Sequence, residues 1–246
     1  MEIFAHRGDA SNAPENTLEA FRKAMVAGAE GLELDVQLTQ DQQVIVVHDE
    51  WLGRTIPGRG RVADHTLKDL QEMDAGGWFG DAFRGESAPS LSDVFDLCQG
   101  KPVKINVELK TGRYDYPGLV ERVAAIISES GWTEKVVISS FNHASLRQMK
   151  QVAPDIACAA LVNNRMLEPW SYVSSHGFQA VHVERHACDA EVVRECHQRG
   201  IAVRAWTVND EKAARKLFEA GVDGIITDKP AEMRQWHQQW EAAQHG

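Results

Sequence analysis

The chain consists of short apolar runs that alternate with segments in which apolar residues recur every three or four positions. The short runs are typical of β-strands, and several are apolar almost without interruption, as expected for strands buried on both faces. The longer segments are typical of amphipathic helices, and many end at a glycine, which readily adopts the left-handed conformation that follows a helix. Such alternation of strand and helix predicts a parallel sheet.

The predicted strands cover residues 3–6, 31–36, 44–48, 103–109, 136–141, 156–162, 180–184, 203–208 and 224–227. Clear helical patterns cover residues 17–27, 118–130, 190–199 and 211–220. An α/β barrel commonly runs to about 250 residues without splitting. The 246 residues of this chain therefore favour a single domain over residues 1–246 with the fold of a TIM (β/α)8 barrel.

The strand candidates exceed the eight places in such a barrel. Residues 31–36 and 44–48 are separated by too few residues for a crossover helix. Either an extended return replaces the helix there, or one candidate lies outside the barrel. The pattern leaves both alternatives open.

Residues 49–90 interrupt the alternation. This stretch is rich in glycine and arginine and has one short helical pattern, at residues 67–73. It is too long for a plain connection. We expect a small insertion after the third strand that covers the active-site rim.

Composition and charge exclude several classes of protein. The net charge is −10, with 26 basic and 36 acidic residues and no cluster of lysine and arginine, so a nucleic-acid partner is not expected. No window approaches the roughly 18 apolar residues of a membrane span. The first residues lack the features of a secretion signal, which favours a cytoplasmic location. The four cysteines form no CxxC pair and are expected to be reduced thiols.

Polar residues stand where several of the early strands end, which is the functional face of a barrel. His6 and Arg7 directly follow the first apolar run. A guanidinium offers a planar fork suited to phosphate oxygens. A structural histidine and an ordinary salt bridge are the competing interpretations of this pair.

Two carboxylates interrupt the second strand. Glu33 and Asp35 share one face because strand side chains alternate. Side by side and partly buried, they would repel each other unless a cation or a proton compensates. Oxygen ligands of this kind suit Mg²⁺ or Ca²⁺. The alternative, a strand with one solvated face, fits poorly with a parallel strand covered on both sides.

The next two strands end in the same manner. One run ends at His48 and Asp49, and the other places Asn106, Glu108 and Lys110 on one face. Two histidines can serve as general base and general acid, and lysine or arginine can offset phosphodiester charge. Redox and serine-hydrolase chemistry are disfavoured because neither a GxGxxG nor a GxSxG motif is present.

Three other residues stand out, and two of them have more than one interpretation. Asn16 is predicted to be a helix N-cap, with Glu19 three positions later. Glu15 could orient His6 instead of belonging only to the helix start. Trp206 ends a late strand, where its indole could form a wall of the substrate pocket or could pack in the core.

Together these residues resemble the glycerophosphodiester phosphodiesterase family. The resemblance covers essentially the whole chain, and the combination of motifs is specific. The motifs are Ala5-His6-Arg7-Gly8, Pro14-Glu15-Asn16-Thr17, Glu33-Leu34-Asp35, His48-Asp49, Arg54-Thr55, Asp74-Ala75-Gly76, Trp78-Phe79, Glu108-Leu109-Lys110, Trp206-Thr207-Val208-Asn209 and Gly224-Ile225-Ile226-Thr227-Asp228-Lys229-Pro230.

The resemblance implies a barrel of the phospholipase-C-like phosphodiesterase type. It implies metal-dependent hydrolysis of glycerophosphodiesters, the deacylated phospholipids, to sn-glycerol 3-phosphate and an alcohol. It also implies His6 and His48 as the acid–base pair, Arg7 on the phosphate and Lys110 in an electrostatic role. The implied ligands of one divalent cation, Mg²⁺ or Ca²⁺, are Glu33, Asp35 and Glu108.

Three alternatives remain beside this interpretation. A relative could act on another phospholipid head group, the barrel could be an inactive binding module, or it could hydrolyse another type of bond with the help of a metal. Long apolar loops would favour action on another head group, and missing site residues would favour a binding module. A His-x-His pair would favour hydrolysis of another bond. The sequence has none of these features. The sequence does not indicate which alcohol is preferred or whether the chain forms a homo-oligomer.

Overall fold

Parallel strands surrounded by helices form a closed barrel in the computed structural model, which describes residues 1–244. The first strand pairs with the second on one side and with the last on the other, which closes the ring. The strands are β1 Glu2–His6, β2 Gly31–Leu38, β3 Val44–Val46, β4 Lys104–Leu109, β5 Val136–Ser140, β6 Ala157–Val162, β7 Ala180–Glu184, β8 Ala202–Trp206 and β9 Gly224–Thr227. The TIM-barrel prediction is confirmed.

The helices cover the outside of this ring, and one predicted helix, Glu211–Ala220, has the expected bounds. The α-helices are α1 Leu18–Val26, α2 Leu67–Gln71, α3 Leu91–Cys98, α4 Leu119–Ser130, α5 His143–Val152, α6 Pro169–Ser175, α7 Ala190–His197, α8 Glu211–Ala220 and α9 Pro230–Gln244. Within residues 1–244, no helix combines the length and the apolar character needed to cross a membrane. The four cysteines are buried and unpaired.

The surplus strand candidate is β3, which lies outside the barrel. β2 pairs with β4 in parallel from Gly31 to Val36 and continues to Leu38, where it pairs with β3 in antiparallel orientation. β2 and β3 therefore form a hairpin that rises from the barrel rim. Because an antiparallel return needs only a short turn, no crossover helix is required between them.

The insertion has a small apolar core of its own, packed against β3. The buried side chains of this core are Ile45, Val47, Ile56, Val62, Leu70, Ala75 and Ala88. The short helical pattern predicted at residues 67–73 corresponds to α2. The insertion thus covers the hairpin with its own packed core.

The predicted N-cap of α1 is wrong by one residue. The Thr17 hydroxyl, not the Asn16 side chain, accepts the hydrogen bond from the Ala20 amide. Asn16 instead has a left-handed backbone with φ of 58°. Its side-chain amide donates to the Asp35 carboxylate at 2.9 Å, so this residue supports the functional face of the barrel.

Candidate active site

Three acidic side chains meet at the carboxyl ends of β2 and β4. Asp35 and Glu108 are partners in the parallel register, and Glu33 lies two positions before Asp35 on the same face. One oxygen from each of the three lies within 4.8 Å of the others. The structure therefore places the predicted metal ligands together.

This cluster is buried, which makes its negative charge costly. Burial, together with the charge of Asp35, raises the pKa of Glu33 to about 8, and it raises the pKa of Glu108 as well. Burial opposes ionisation of Asp35 too, but Arg7 and Lys110 outweigh it and hold the pKa of Asp35 below its usual range. Among residues 1–244, no donor hydrogen-bonds to the buried Oδ1 atom of Asp35. A buried carboxylate oxygen that accepts no hydrogen bond, beside two other carboxylates, fits a divalent cation such as Mg²⁺ or Ca²⁺.

His6 ends β1 and faces this cluster. Its Nδ1 donates to Asp228 Oδ1 at 2.6 Å, and its Nε2 lies 3.9 Å from Glu33 Oε2. Asp228 follows β9, the neighbour of β1 in the barrel, and is held in turn by the Asn209 side chain. Burial lowers the pKa of His6, but the Asp228 hydrogen bond and the Glu33 charge outweigh it, so the net shift is upward.

His48 reaches the same cavity from the insertion side. It lies just beyond β3, and its Nδ1 donates to Asp49 Oδ1 at 2.7 Å. Gln37 on β2 holds the His48 backbone through a hydrogen bond to the carbonyl at 3.0 Å. Burial lowers the pKa of His48, and the charges of Arg7 and Lys110 reinforce this against the attraction of Asp35. The two histidines therefore have pKa values shifted in opposite directions.

Two cations lie beside the acidic cluster. Arg7 Nε is 3.2 Å from Asp35 Oδ2, and the Arg7 backbone amide donates to Glu33 at 3.0 Å. Lys110 Nζ donates to Glu108 at 2.9 Å and lies 3.7 Å from Asp35. Arg7 has a left-handed φ of 55°, a backbone conformation that is strained for a residue with a side chain. In this conformation the Arg7 side chain extends into the site.

The proposed contact between Glu15 and His6 is not found. Glu15 instead accepts a hydrogen bond from Arg7 at 2.8 Å and two from Arg54 on the insertion. The carboxylate that orients His6 is Asp228. The oxygens of Glu15 thus accept hydrogen bonds from two guanidinium groups, so Glu15 supports Arg7 and Arg54 and not His6.

Trp206 forms part of the cavity wall. Its indole Nε1 donates to the His182 carbonyl at 3.0 Å, and its ring meets Phe141 edge to face with the centroids 5.4 Å apart. Every predicted site residue except Asp35 lines this cavity, whose volume is about 120 Å³. Asp35 is 1% exposed and lies behind the cavity wall.

Sequence reasoning assigned no role to Asp228, Asn209 or Arg54. Asp228 follows the last strand directly, and this position at a strand end is the signal that could have identified it. Its partner His6 is 222 positions away in the chain, so a local pattern could not connect the two. Arg54 lies in the irregular insertion, where side-chain directions have no periodicity to reveal them.

Comparisons with known proteins agree on one family. The model of the glycerophosphoryl diester phosphodiesterase family matches residues 6–232. A glycerophosphodiester phosphodiesterase of Caldanaerobacter subterraneus subsp. tengcongensis is 42% identical over 228 residues, which are 93% of this chain and 94% of the relative. A protein of the same name from Bacillus altitudinis is 38% identical over 232 residues, covering 93% and 95%.

A solved structure shows the same fold with a bound product. The structure is that of an Oleispira antarctica phosphodiesterase in complex with sn-glycerol-3-phosphate. It superposes with a TM-score of 0.89 at 28% identity and covers 97% of each chain. Taken with the two relatives and the site geometry, the match over residues 6–232 shows that this chain belongs to the glycerophosphoryl diester phosphodiesterase family.

Proposed function

We propose that this chain hydrolyses glycerophosphodiesters, the deacylated phospholipids, to sn-glycerol 3-phosphate and an alcohol. The observation that carries the proposal is the meeting, in one cavity, of His6 and His48 with the cations of Arg7 and Lys110. Those groups match the needs of phosphodiester hydrolysis, in which protons move and negative charge develops on phosphate oxygens. The names of the relatives and the product bound in the Oleispira structure support the substrate class.

The acidic cluster is the proposed site for one divalent cation, Mg²⁺ or Ca²⁺. Its ligands would be Glu33, Asp35 and Glu108, because their oxygens converge within 4.8 Å and suit a hard cation. When bound, such an ion polarises a phosphoryl oxygen or lowers the pKa of a hydroxyl. The protein supplies the remaining chemistry.

The opposite pKa shifts of the histidines suggest how they divide the work. His48, with its lowered pKa, is neutral near pH 7 and can accept the proton of the attacking hydroxyl at Nε2. His6, whose pKa is raised by the Asp228 hydrogen bond and the Glu33 charge, is the more easily protonated of the two and would donate its proton to the departing alcohol. Arg7 and Lys110 offset the charge on the phosphate during the transfer.

The attacking hydroxyl is proposed to be the glycerol 2-hydroxyl. It would form a bond to phosphorus as the alcohol leaves, which gives a cyclic phosphate that water then opens. Direct attack by water is the competing route. Detection of a 1,2-cyclic glycerophosphate during turnover supports the first route, and its absence under rapid quenching supports the second.

The function itself is tested by release of sn-glycerol 3-phosphate from a panel of glycerophosphodiesters, with and without a chelator. We expect release from several members of the panel and its loss in excess EDTA. Full activity in excess EDTA would contradict the metal site, and no release from any member would contradict the substrate class. The single domain over residues 1–246, with residues 49–90 at its rim, is part of this proposal, and the cytoplasmic location stays a prediction.

A further inference from the structure

Arg54, on the rim insertion, joins two carboxylates that serve different parts of the site. Its Nη1 and Nη2 donate to the two oxygens of Glu15, each at 2.8 Å. Its Nη2 also donates to Asp49 Oδ1 at 3.1 Å, and its Nε donates to Asp49 Oδ2. One planar guanidinium thus holds both acids through four hydrogen bonds.

Each of these carboxylates holds a residue that faces the cavity. Asp49 accepts the Nδ1 proton of His48 at 2.7 Å, and Glu15 accepts a hydrogen bond from Arg7 at 2.8 Å. Arg54 is therefore one side chain away from the histidine on the insertion side and one side chain away from the phosphate-binding arginine. A continuous chain of contacts links His48 to Arg7 through Arg54.

The arrangement depends on the shape of arginine. The two carboxylates would repel each other if no cation lay between them. A guanidinium matches two carboxylates in fixed directions, whereas a lysine ammonium offers a point charge on a flexible stem. The pKa values of Glu15 and Asp49 are both lowered against the effect of burial, with hydrogen bonds from Arg54 as the next largest cause, so both accept in their charged form.

The backbone of Arg54 is fixed although its side chain is 45% exposed. The Gly53 amide donates to the Ile56 carbonyl at 2.8 Å and closes a tight turn around Arg54. The two following residues, Thr55 and Ile56, are buried, and Ile56 belongs to the core of the insertion. The guanidinium is therefore presented from a packed turn.

We propose that Arg54 is a positioning residue for the hydrolysis described above. It holds Asp49 and Glu15 in place and, through them, fixes the His48 ring relative to the Arg7 guanidinium. The proposal rests on the proposed function, because it assigns Arg54 an effect on that reaction. It also gives the insertion a defined part in the chemistry, since Arg54 connects the rim to the cavity.

Arg54→Ala, Arg54→Lys and the control Arg84→Ala in the full chain test the proposal. Arg84 also lies on the insertion, but its guanidinium pairs with Asp81 in an exposed ion pair. At metal sites, loss of a side chain that orients a ligand typically costs 10–100-fold, and we expect kcat of Arg54→Ala to fall by about the same factor. Arg54→Lys should fall between Arg54→Ala and the unmodified chain, and Arg84→Ala should keep the full kcat.

Chemical rescue separates positioning from a general structural effect. Guanidinium ion at a low, non-denaturing concentration can enter the exposed space left by Arg54→Ala and bridge the two carboxylates again. We expect it to restore part of kcat in Arg54→Ala and to leave Arg84→Ala unchanged. If Arg54→Ala does not fold, as judged by circular dichroism, the lowered kcat of a folded Arg54→Lys carries the same test.

A double-mutant cycle with Asp49→Asn tests the route of the effect. Because Arg54 is proposed to act partly through Asp49, the loss in the double variant should be smaller than the product of the two separate losses. Unchanged kcat in Arg54→Ala, or a loss that is independent of Asp49→Asn and is not restored by guanidinium, would overturn the proposal.

The substrates keep this test apart from that of the proposed function. Each variant is assayed with sn-glycero-3-phosphocholine and with bis(p-nitrophenyl) phosphate, which has no glycerol. If the unmodified chain cleaves only the second compound, the proposed substrate class fails while the Arg54 effect can still be measured. If it cleaves both compounds and Arg54→Ala matches it on both, the positioning role alone fails.

Discussion

His6 and His48 show how different surroundings shift the pKa values of two chemically identical side chains in opposite directions. Each ring donates its Nδ1 proton to a carboxylate, which leaves Nε2 for the proposed proton transfer. The pKa of His6 is raised by Asp228 and Glu33, while the pKa of His48 is lowered by burial and by two nearby cations. His6 is therefore the more easily protonated of the two rings, which fits it for the proposed role of acid and His48 for the proposed role of base.

The leaving group tests this division of roles. His6→Ala should lower kcat for sn-glycero-3-phosphocholine by about 10²–10⁴-fold, because general acid catalysis is lost. It should lower kcat far less for a glycerophosphodiester with a p-nitrophenyl leaving group, since that group departs without a proton. His48→Ala should be slow on both substrates, as measured by steady-state kinetics.

His197→Ala is a suitable control, because His197 is an exposed histidine on α7. It should leave both rates unchanged. Equal losses for His6→Ala on the two substrates, or a His48→Ala variant rescued by the p-nitrophenyl group, would contradict the assignment of acid and base.

At the scale of the element, the turn between β1 and α1 sets the direction of Arg7. Gly8 follows Arg7 with φ of 86°, and a Cβ atom placed there would lie 2.6 Å from the backbone of Ala20 at the start of α1. This close approach requires glycine, because backbone atoms of a packed helix cannot move aside easily. The turn therefore couples the packing of α1 to the geometry of the site.

Gly8→Ala is expected to destabilise the chain more than Gly131→Ala does. Both glycines have positive φ, but a Cβ atom at Gly131 meets nothing within 4 Å. The left-handed conformation alone costs an ordinary residue about 1–2 kcal/mol, so Gly131→Ala should lower the free energy of unfolding by about that amount. Gly8→Ala should lower it further, as measured by urea denaturation; equal losses would show that the steric contact with α1 has no effect.

The elements also show what the sequence could predict. The bounds of β7, β9 and α8 match the predicted ranges, because periodicity and terminal glycines are local signals. The direction of β3 was not predictable, since an apolar run has the same pattern in a parallel and an antiparallel strand. The contact of Asn16 with Asp35 was missed because an N-cap signal and a side chain turned toward the site look alike in sequence.

The site residues also differed in how far the sequence could predict them. Glu33 and Asp35 could be paired because they interrupt an apolar strand with period two, whereas the family resemblance added Glu108; the structure brings the three together. Asp228 could not be assigned to His6, since its position depends on the closure of the barrel. Local chemistry was thus predictable where a regular element presents it, whereas partners from distant elements required the fold.

At the scale of the whole molecule, the buried carboxylates set how stability depends on pH and on metal. The pKa of Glu33 is raised to about 8 in the folded chain. A carboxyl group with a raised folded pKa makes the folded state less stable as pH rises, because the unfolded chain ionises first. This loss occurs between the usual pKa of glutamate and about pH 8, whereas the lowered pKa of Asp35 matters only at more acidic pH.

A divalent cation should prevent this loss of stability at higher pH, since its positive charge offsets that of the ionised carboxylates. We therefore expect Mg²⁺ or Ca²⁺ to raise the Tm, and to raise it more at pH 8 than at pH 5.5. A ligand present at 100 times its Kd stabilises the folded state by about 2.7 kcal/mol. Calorimetry with and without EDTA measures the shift, and Glu108→Gln, which removes one ligand charge, should reduce it; the same Tm shift at both pH values would contradict the expectation.

The hydrogen bond between His6 and Asp228 spans the seam at which β1 meets β9, and this gives the site a place in the order of folding. Residues 6 and 228 are brought together only when the last strand docks against the first. Until β9 pairs with β1, the His6 ring lacks the carboxylate that accepts its Nδ1 proton. The completed ring is thus a prerequisite for this hydrogen bond, and, with His6 as the proposed acid, activity is expected only after the ring has closed.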